Sequence, residues 1–417
     1  MGTGSAMDEP FGPEGLPLAE ARAAILEALA PLGGCERLAL AKALGRVAAE
    51  AVLAKAAVPG FAASVMDGYA IAGAEIPNPG QRWQLVGSSA AGAPYQGQLG
   101  PGQAIRILTG APIPGGCGRV LPQELIQITE EQLELLRPAG SNPWIRQADE
   151  EAAGGMELLS PGSRLGPADL ARLASCGVSE LLVQRKPRIG LLISGDELIP
   201  PGQPRQAGQI WESNSTLLGA LLQRLGYGVD ECRMVSDDPE PMGRALVELA
   251  QSCDLVVSSG GISAGDSDWI RPLVSELGAL HFWKLFLKPG RPFAWGQIQG
   301  TPFFGLPGNP VAAAITALQL LWPALQRLEG AELQLLPRLV VRLAKPIRRG
   351  AGRPELARAQ LCFDAEGRPM AELSGSQASS RIGSLQGADL LLEIPAEAGN
   401  LAAGTSLWAQ LLRLPLF

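Results

Sequence analysis

Arg188-Ile189-Gly190-Leu191-Leu192-Ile193-Ser194-Gly195-Asp196-Glu197 is the stretch whose reading decides the fold. A continuous apolar run too short for a helix suits a strand covered on both faces, as in a parallel sheet. It ends in a serine, a glycine and two acids, the composition of a loop that meets a ligand rather than a core.

Downstream, the same alternation repeats. Helical spacing covers Thr216–Leu225 and Pro241–Gln251, with strand-like runs at 228–235 and Asp254–Val257. A helix is expected over Trp269–Leu277, then strands over Leu280–Leu287, 293–298 and 302–306. A long helix follows over Val311–Leu328, kinked or broken at Pro323. Strand and helix in alternation predict a doubly wound α/β unit.

In such sheets, ligands sit beyond the carboxyl ends of the strands. Three loops qualify. They are Ser194-Gly195-Asp196-Glu197, then Ser258-Ser259-Gly260-Gly261-Ile262-Ser263 running on to Asp268, and Gly305-Leu306-Pro307-Gly308-Asn309-Pro310. Glycines admit close backbone approach, and a helix N-terminus favours an anion. One such loop is explained by a tight turn. Three on one predicted edge point to a ligand carrying phosphate, with the acids suited to a divalent cation or to the donor edge of a heterocycle.

Lys284-Leu285-Phe286-Leu287-Lys288-Pro289-Gly290-Arg291 adds cations. On a strand, Lys284 and Lys288 share a face about 13 Å apart, at ~3.3 Å per residue. That spacing suits two anions or the two ends of an elongated ligand. A solvated edge strand is the plainer reading.

Upstream, Leu18–Leu29 has helical spacing, and a second short helix is expected over 40–51. Short strands between Gly/Pro clusters fill 53–147, as in a small β domain. A helix is expected over 158–177, with Pro167 in its first turn. Strand-like runs at 338–343, 389–394 and 406–411 predict a C-terminal β domain. Residues 1–15 read as a disordered tail.

Composition excludes several classes. With 34 Lys+Arg against 41 Asp+Glu, the net charge of −7 offers no bulk attraction to nucleic acid or anionic lipid. The longest uncharged stretch, 292–326, is cut by prolines and does not read as a membrane span. No signal peptide is visible, and the 6 cysteines lack metal or redox spacing, so a cytoplasmic protein with reduced thiols is expected. The sole histidine, His281, lies in an apolar run and reads as structural.

Eight strings in order resemble one family. They are P-G-F-x-x-S-x-M-D-G-Y-A (59–70), R-I-x-T-G-A-P (106–112), S-G-D-E-L (194–198), S-S-G-G-x-S-x-G-D-x-D (258–268), F-W-K-x-x-x-K-P-G-R-P-F (282–293), G-L-P-G-N-P-V (305–311), G-R-P-E (352–355) and Q-x-S-S-R (377–381). Together they are similar to the molybdopterin molybdenumtransferases, the MoeA family that includes gephyrin E domains.

The resemblance implies a four-domain chain. After the tail, residues 16–52 with 150–186 would form a discontinuous linker and dimerisation domain, and 53–149 a small β domain. Residues 187–335 would be the α/β pterin-binding domain, and 336–417 a barrel-like C-terminal β domain. It implies a homodimer with a cleft shared between subunits, and insertion of molybdate into adenylylated molybdopterin with loss of AMP, aided by Mg²⁺. Contact with the adenylyltransferase and with recipient molybdoenzymes is a further implication.

Roles carry over by position. Ser263, Asp268, Lys284, Lys288, Arg353 and Ser380 match catalytic positions around oxyanion and phosphates. Ser194, Gly195, Asp196, Asn214, Ser258, Gly260, Gly261, Pro307, Gly308, Asn309 and Arg291 match substrate-binding positions. Thr109 and Arg146 match positions across the cleft from the partner subunit, and Glu197 with Asp237 matches acidic positions implicated in nucleotide, metal or pterin handling, read here as metal positions. The chain departs from the pattern at Ala62-Ala63, where the family carries Asp-Asn, and at 146–151, where an Arg-rich run keeps only Arg146. Two other readings stand beside the enzyme: a weakly active scaffold of the same fold, and an adenylyltransferase sharing only the α/β unit. The flanking β domains disfavour the latter.

Overall fold

The computed structural model describes residues 15–262 and 269–413. Ser263 and Asp268 lie outside these residues.

The α/β unit is built on a seven-stranded sheet ordered Leu16–Pro17, Gly278–Phe286, Pro292–Ile298, Thr301–Leu306, Leu255–Ser259, Ile189–Ser194, Glu231–Val235. The last four strands of that order run parallel to one another. The segment 278–306 is an antiparallel meander joined to them. Every residue of Ile189–Ser194 is buried. The strand period explains how: Ile189, Leu191 and Ile193 enter one apolar cluster, and Leu192 enters the other. Helices Asn214–Arg224 and Pro310–Glu329 cover the first face. Helices Pro239–Ser252 and Ile270–Leu277 cover the second. Helix Leu18–Ala28 also buries Ala21 and Ile25 against the first face.

Helix Pro310–Glu329 is long and apolar enough to cross a membrane, but 94% of its apolar window is buried within the fold. It does not break at Pro323. A wide π-turn at Ala317–Leu321 precedes the proline, where the ring removes an N–H and crowds the carbonyl four residues back.

Residues 35–53 and 157–184 meet despite their separation. Cys35–Ala39 pairs with Glu180–Gln184, and Val52–Leu53 with Glu157–Leu159. The helix expected over 40–51 is only a 3₁₀ turn, Leu40–Lys42. Gly45 turns to φ +71°, and the following backbone bonds outward, Ala48 N–H to Ser163 and Leu165 N–H to Arg46. The helix expected over 158–177 shortens to Pro167–Ser175, because its start is consumed by pairing with Val52–Leu53. Pro167 does stand in the first turn, as expected.

The insert between them carries a six-stranded sheet ordered Cys117–Pro122, Gly68–Ala72, Gln103–Ile107, Arg82–Ser89, Gln132–Leu135, Ile126–Thr129. At the C-terminal end, Arg338–Leu343, Pro369–Leu373, Glu355–Phe363, Leu390–Ile394 and Ser406–Leu411 close into a barrel.

Candidate functional site

The expected strand-end loops converge on a cleft of about 860 Å³ between the α/β sheet edge and the barrel, within the range usual for ligand sites. Asn214, at the start of its helix, laces the loops. Its buried amide donates to Ser259 Oγ at 2.8 Å and to the Gly308 carbonyl at 2.7 Å. Ser259 Oγ in turn donates to the Pro307 carbonyl at 3.2 Å. Gly260 sits at φ +102°, where an added Cβ would stand 2.4 Å from the Ser194 carbonyl oxygen. Only glycine lets these two loops approach so closely.

The helix that opens at Pro310 is less free to bind an anion than its sequence suggests. Pro310 has no N–H, and the Val311 N–H donates to the Ser379 carbonyl at 3.1 Å. The barrel loop is thereby docked on the helix. Arg358, fully buried, fixes the same loop through Nε to Ser384 Oγ at 3.0 Å and Nη2 to the carbonyls of Ser376 and Ala378 at 3.3 Å. Ser379 and Ser380 reach the cleft this way.

Lys288, Arg291 and Arg353 supply the cationic wall. Lys288 Nζ lies 3.2 Å from the Glu355 carboxylate, itself 5% exposed and 3.5 Å from Arg349 Nε. Arg349 Nη2 also donates to the Arg353 carbonyl at 2.8 Å, so the G-R-P-E segment is pinned where it meets Lys288. The shared strand face expected for Lys284 and Lys288 is not formed. The strand ends at Phe286, with irregular register from Leu280 to Lys284. Lys288 turns into the cleft, whereas the Lys284 ammonium stands 3.9 Å from the centre of the Trp283 ring and lies outside the cleft lining.

Glu197 and Asp237 form the acidic wall. The Asp237 N–H donates to Asp196 Oδ1 at 3.0 Å. Burial first, then the charges of Asp196 and Glu197, raise the Asp237 pKa above the ordinary carboxylate value. Among the described residues, no group of three or more His, Cys, Asp or Glu converges as a metal cage.

Of the residues singled out from sequence, Ser194, Gly195, Glu197, Asn214, Asp237, Gly260, Gly261, Lys288, Arg291, Pro307, Gly308, Asn309, Arg353 and Ser380 line the cleft. Asp196, which is exposed, and Ser258, which is buried, are not part of its lining. Thr109 and Arg146 lie away from it, on the insert. There Thr109 N–H and Oγ1 each donate to Asp67 Oδ1 at 2.8 Å, which holds the Asp67 carboxyl below its usual range. Arg146 pairs with Glu151 at 3.0 Å, and its strand lies against Ala63–Ser64. The insert's motifs therefore form one cluster. The His281 ring centre lies 6.0 Å from that of Trp295 in a tilted contact, outside the cleft lining. Both serines of the 379–380 pair line the cleft, and sequence reasoning passed over Trp211, Glu212 and Gln377. Gln377 lay within a string already quoted, whereas nothing in the sequence pointed to Trp211.

Three family patterns match in succession. "MoeA N-terminal region (domain I and II)" covers 16–177, "Probable molybdopterin binding domain" covers 190–327, and "MoeA C-terminal region (domain IV)" covers 340–412. A molybdopterin molybdenumtransferase of Haemophilus influenzae is 33% identical over 394 residues, covering 93% of this chain and 96% of that protein.

The chain belongs to the MoeA family of molybdopterin molybdenumtransferases.

Gephyrin of Dictyostelium discoideum is 29% identical, covering 90% of this chain and 59% of that longer protein. Among solved structures, a molybdopterin biosynthesis moeA protein of Pyrococcus horikoshii aligns with TM-score 0.80 at 26% identity, covering 95% of this chain and 99% of that one. The MoeA fold thus extends over the whole described chain, and the cleft lies where the molybdopterin-binding pattern meets the C-terminal one. An adenylyltransferase sharing only the α/β unit would lack the flanking regions that match here.

Proposed function

We propose that this chain is a transferase of molybdenum cofactor biosynthesis that inserts molybdate into adenylylated molybdopterin with release of AMP. The observation that carries the reading is the convergence of Lys288, Arg291 and Arg353, drawn from two separate folding units, on the strand-end cleft. Molybdate is a tetrahedral dianion. Ammonium and guanidinium donors beside hydroxyls of the 379–380 pair suit it and the phosphates of the second substrate. Insertion exchanges oxo ligands for thiolates, so fixed positive charge does more than an activated nucleophile would. Ser263 and Asp268 are assigned to the same site from sequence, as is Lys284, which stands outside the cleft lining.

Mg²⁺ fits the acidic wall as a partial seat. The buried Oδ1 of Asp237 stands beside the Ser194 hydroxyl, and Glu197 shares the wall. Mg²⁺ is commonly held by one or two carboxylates together with substrate phosphates. When bound, it would neutralise phosphate charge, and Asp237 and Glu197 would hold it.

The reading extends to a cytoplasmic homodimer in which Thr109, Arg146 and the 59–70 loop face the partner's cleft. Its chain is divided at 16–52 with 150–186, 53–149, 187–335 and 336–417. The adenylyltransferase and recipient molybdoenzymes would be its transient partners. A scaffold reading is favoured by one feature: Ala62-Ala63 lack acidic groups, and Arg146 is engaged by Glu151. Adding molybdate to the purified chain with adenylylated molybdopterin separates the two. Stoichiometric AMP release supports the transferase, and no release supports the scaffold.

A further inference from the structure

The cleft is lined by polar and charged side chains interspersed with aliphatic ones such as Ile193, Leu198, Ile210 and Ile262. Among the described residues, Trp211 is the only aromatic ring in its lining. It stands on a short parallel ribbon, Leu198–Ile199 with Ile210–Trp211, that overhangs the first strand-end loop. The ribbon is tied at both ends of the tryptophan. Ile210 N–H donates to the Glu197 carbonyl at 2.8 Å, and Glu212 N–H donates to the Ile199 carbonyl at 2.8 Å. The indole itself is held: Nε1 donates to the Gln203 carbonyl at 3.0 Å, and the Arg205 guanidinium lies 4.7 Å from the ring centre. Yet Trp211 is 48% exposed. An indole whose N–H is satisfied and whose ring is backed by a guanidinium has little rotamer freedom left to lose on binding.

We infer that Trp211 is the stacking platform for a fused heteroaromatic ring of the substrate. The inference rests on the function proposed above, which provides two such rings, the adenine and the pterin. Flat heterocycles stack on tryptophan through dispersion and offset π contact, a preference that does not depend on the pattern of ring donors and acceptors. Trp211 is thus a binding residue, acting on affinity rather than on the exchange at molybdenum.

The test uses the full-length wild-type chain with Trp211→Phe and Trp211→Ala, titrated separately with AMP and with pterin-6-carboxylate. Quenching of tryptophan fluorescence and calorimetric affinity are both read. One probe is expected to quench the wild type and to lose that component in Trp211→Phe, which keeps a ring while removing the reporting indole. The same probe should bind Trp211→Ala roughly tenfold more weakly, the scale of one lost base–aromatic stack, with Trp211→Phe within about threefold of wild type. The probe that responds identifies the ring. Equal affinity of all three proteins for both probes, with equal quenching, overturns the inference. Molybdate-dependent AMP release by the wild type, measured in parallel, keeps the two failures apart. Release together with unchanged Trp211→Ala affinity defeats the platform alone, and no release defeats the proposed activity beneath it.

Discussion

The ammonium of Lys288 stands 3.2 Å from the carboxylate of Glu355, and the Lys288 backbone pairs with the residues on either side of Glu355. Lys288 N–H donates to the Pro354 carbonyl, and Leu356 N–H to that of Lys288. A cation from the α/β unit is thus set by an acid of the barrel. Glu355 is buried and has a second cation, Arg349, so it remains paired when an anion draws Lys288 into the cleft. The arrangement offers a held positive charge without leaving an isolated buried carboxylate behind.

Lys288→Ala is therefore expected to keep the fold, because Arg349 still faces Glu355. It should lower molybdate-dependent AMP release by roughly a hundred- to a thousandfold, the scale for loss of one preorganised donor. Thermal melts beside the AMP assay check both halves. Full activity in the variant would place the oxyanion elsewhere.

Arg164, Tyr227 and Glu329 lock the 157–184 segment onto the α/β unit. Arg164 Nη2 donates to Glu329 at 2.6 Å and to Tyr227 Oη at 2.9 Å, and Tyr227 donates to Glu329 at 2.8 Å. Glu329 is 2% exposed. Burial raises the Tyr227 pKa, which keeps the phenol a donor. Arg164→Ala leaves a buried carboxylate with only the phenol, and should cost about 3–5 kcal/mol. Urea unfolding of the two proteins measures the loss. A midpoint unchanged from wild type would show that the Arg164 ion pair does not hold the segment to the α/β unit.

Asp237 gives a pH signature. Its folded pKa is raised, so the native state binds more protons than the unfolded chain between the ordinary value near ~3.9 and the higher folded one. Stability therefore falls as pH rises through that window, and the penalty is complete above it. Asp237→Asn should melt higher than wild type at pH 7, with the gap closing below pH ~3.9. Mg²⁺ should raise the wild-type melting temperature and leave the variant unmoved. Melting curves from acid to neutral pH, with and without the ion, decide both points.

A cleft shared between subunits predicts sedimentation at twice the 43.5 kDa chain mass. It also predicts that Ala62→Asp, which restores an acid to the cluster holding Asp67 and Thr109, accelerates AMP release. One charge-assisted hydrogen bond is worth about 1.5–3 kcal/mol, equivalent to roughly a ten- to hundredfold change in rate. Equal rates in wild type and variant would show that the acid is dispensable in this chain. A monomer at micromolar concentration would remove the basis for the prediction.

The α/β unit was legible because its strands are buried on both faces and its loops carry their chemistry locally. Ile189–Ser194 reads as a strand from six residues, and the Ser-Gly-Gly and Pro-Gly-Asn-Pro turns announce the edge where ligands bind. Family-like strings extended that reading to the barrel and to Arg353. What the sequence did not carry was anything set by distant partners. Residues 40–51 have helical spacing, yet tertiary hydrogen bonds, from the Ala48 N–H and to the Arg46 carbonyl, outweigh a weak local preference. Lys284 and Lys288 look equivalent in the chain, but the strand ends between them, and the barrel's Glu355 selects only Lys288 for the cleft. Trp211 carried no signal at all. Its role depends on a ribbon folded over the first loop and on an arginine six residues away that backs its ring. Local pattern determines which segments become strands, helices and turns, because those preferences act within a few residues. The tertiary structure decided which side chains meet, because burial, ion pairing and stacking act between residues that the chain keeps far apart.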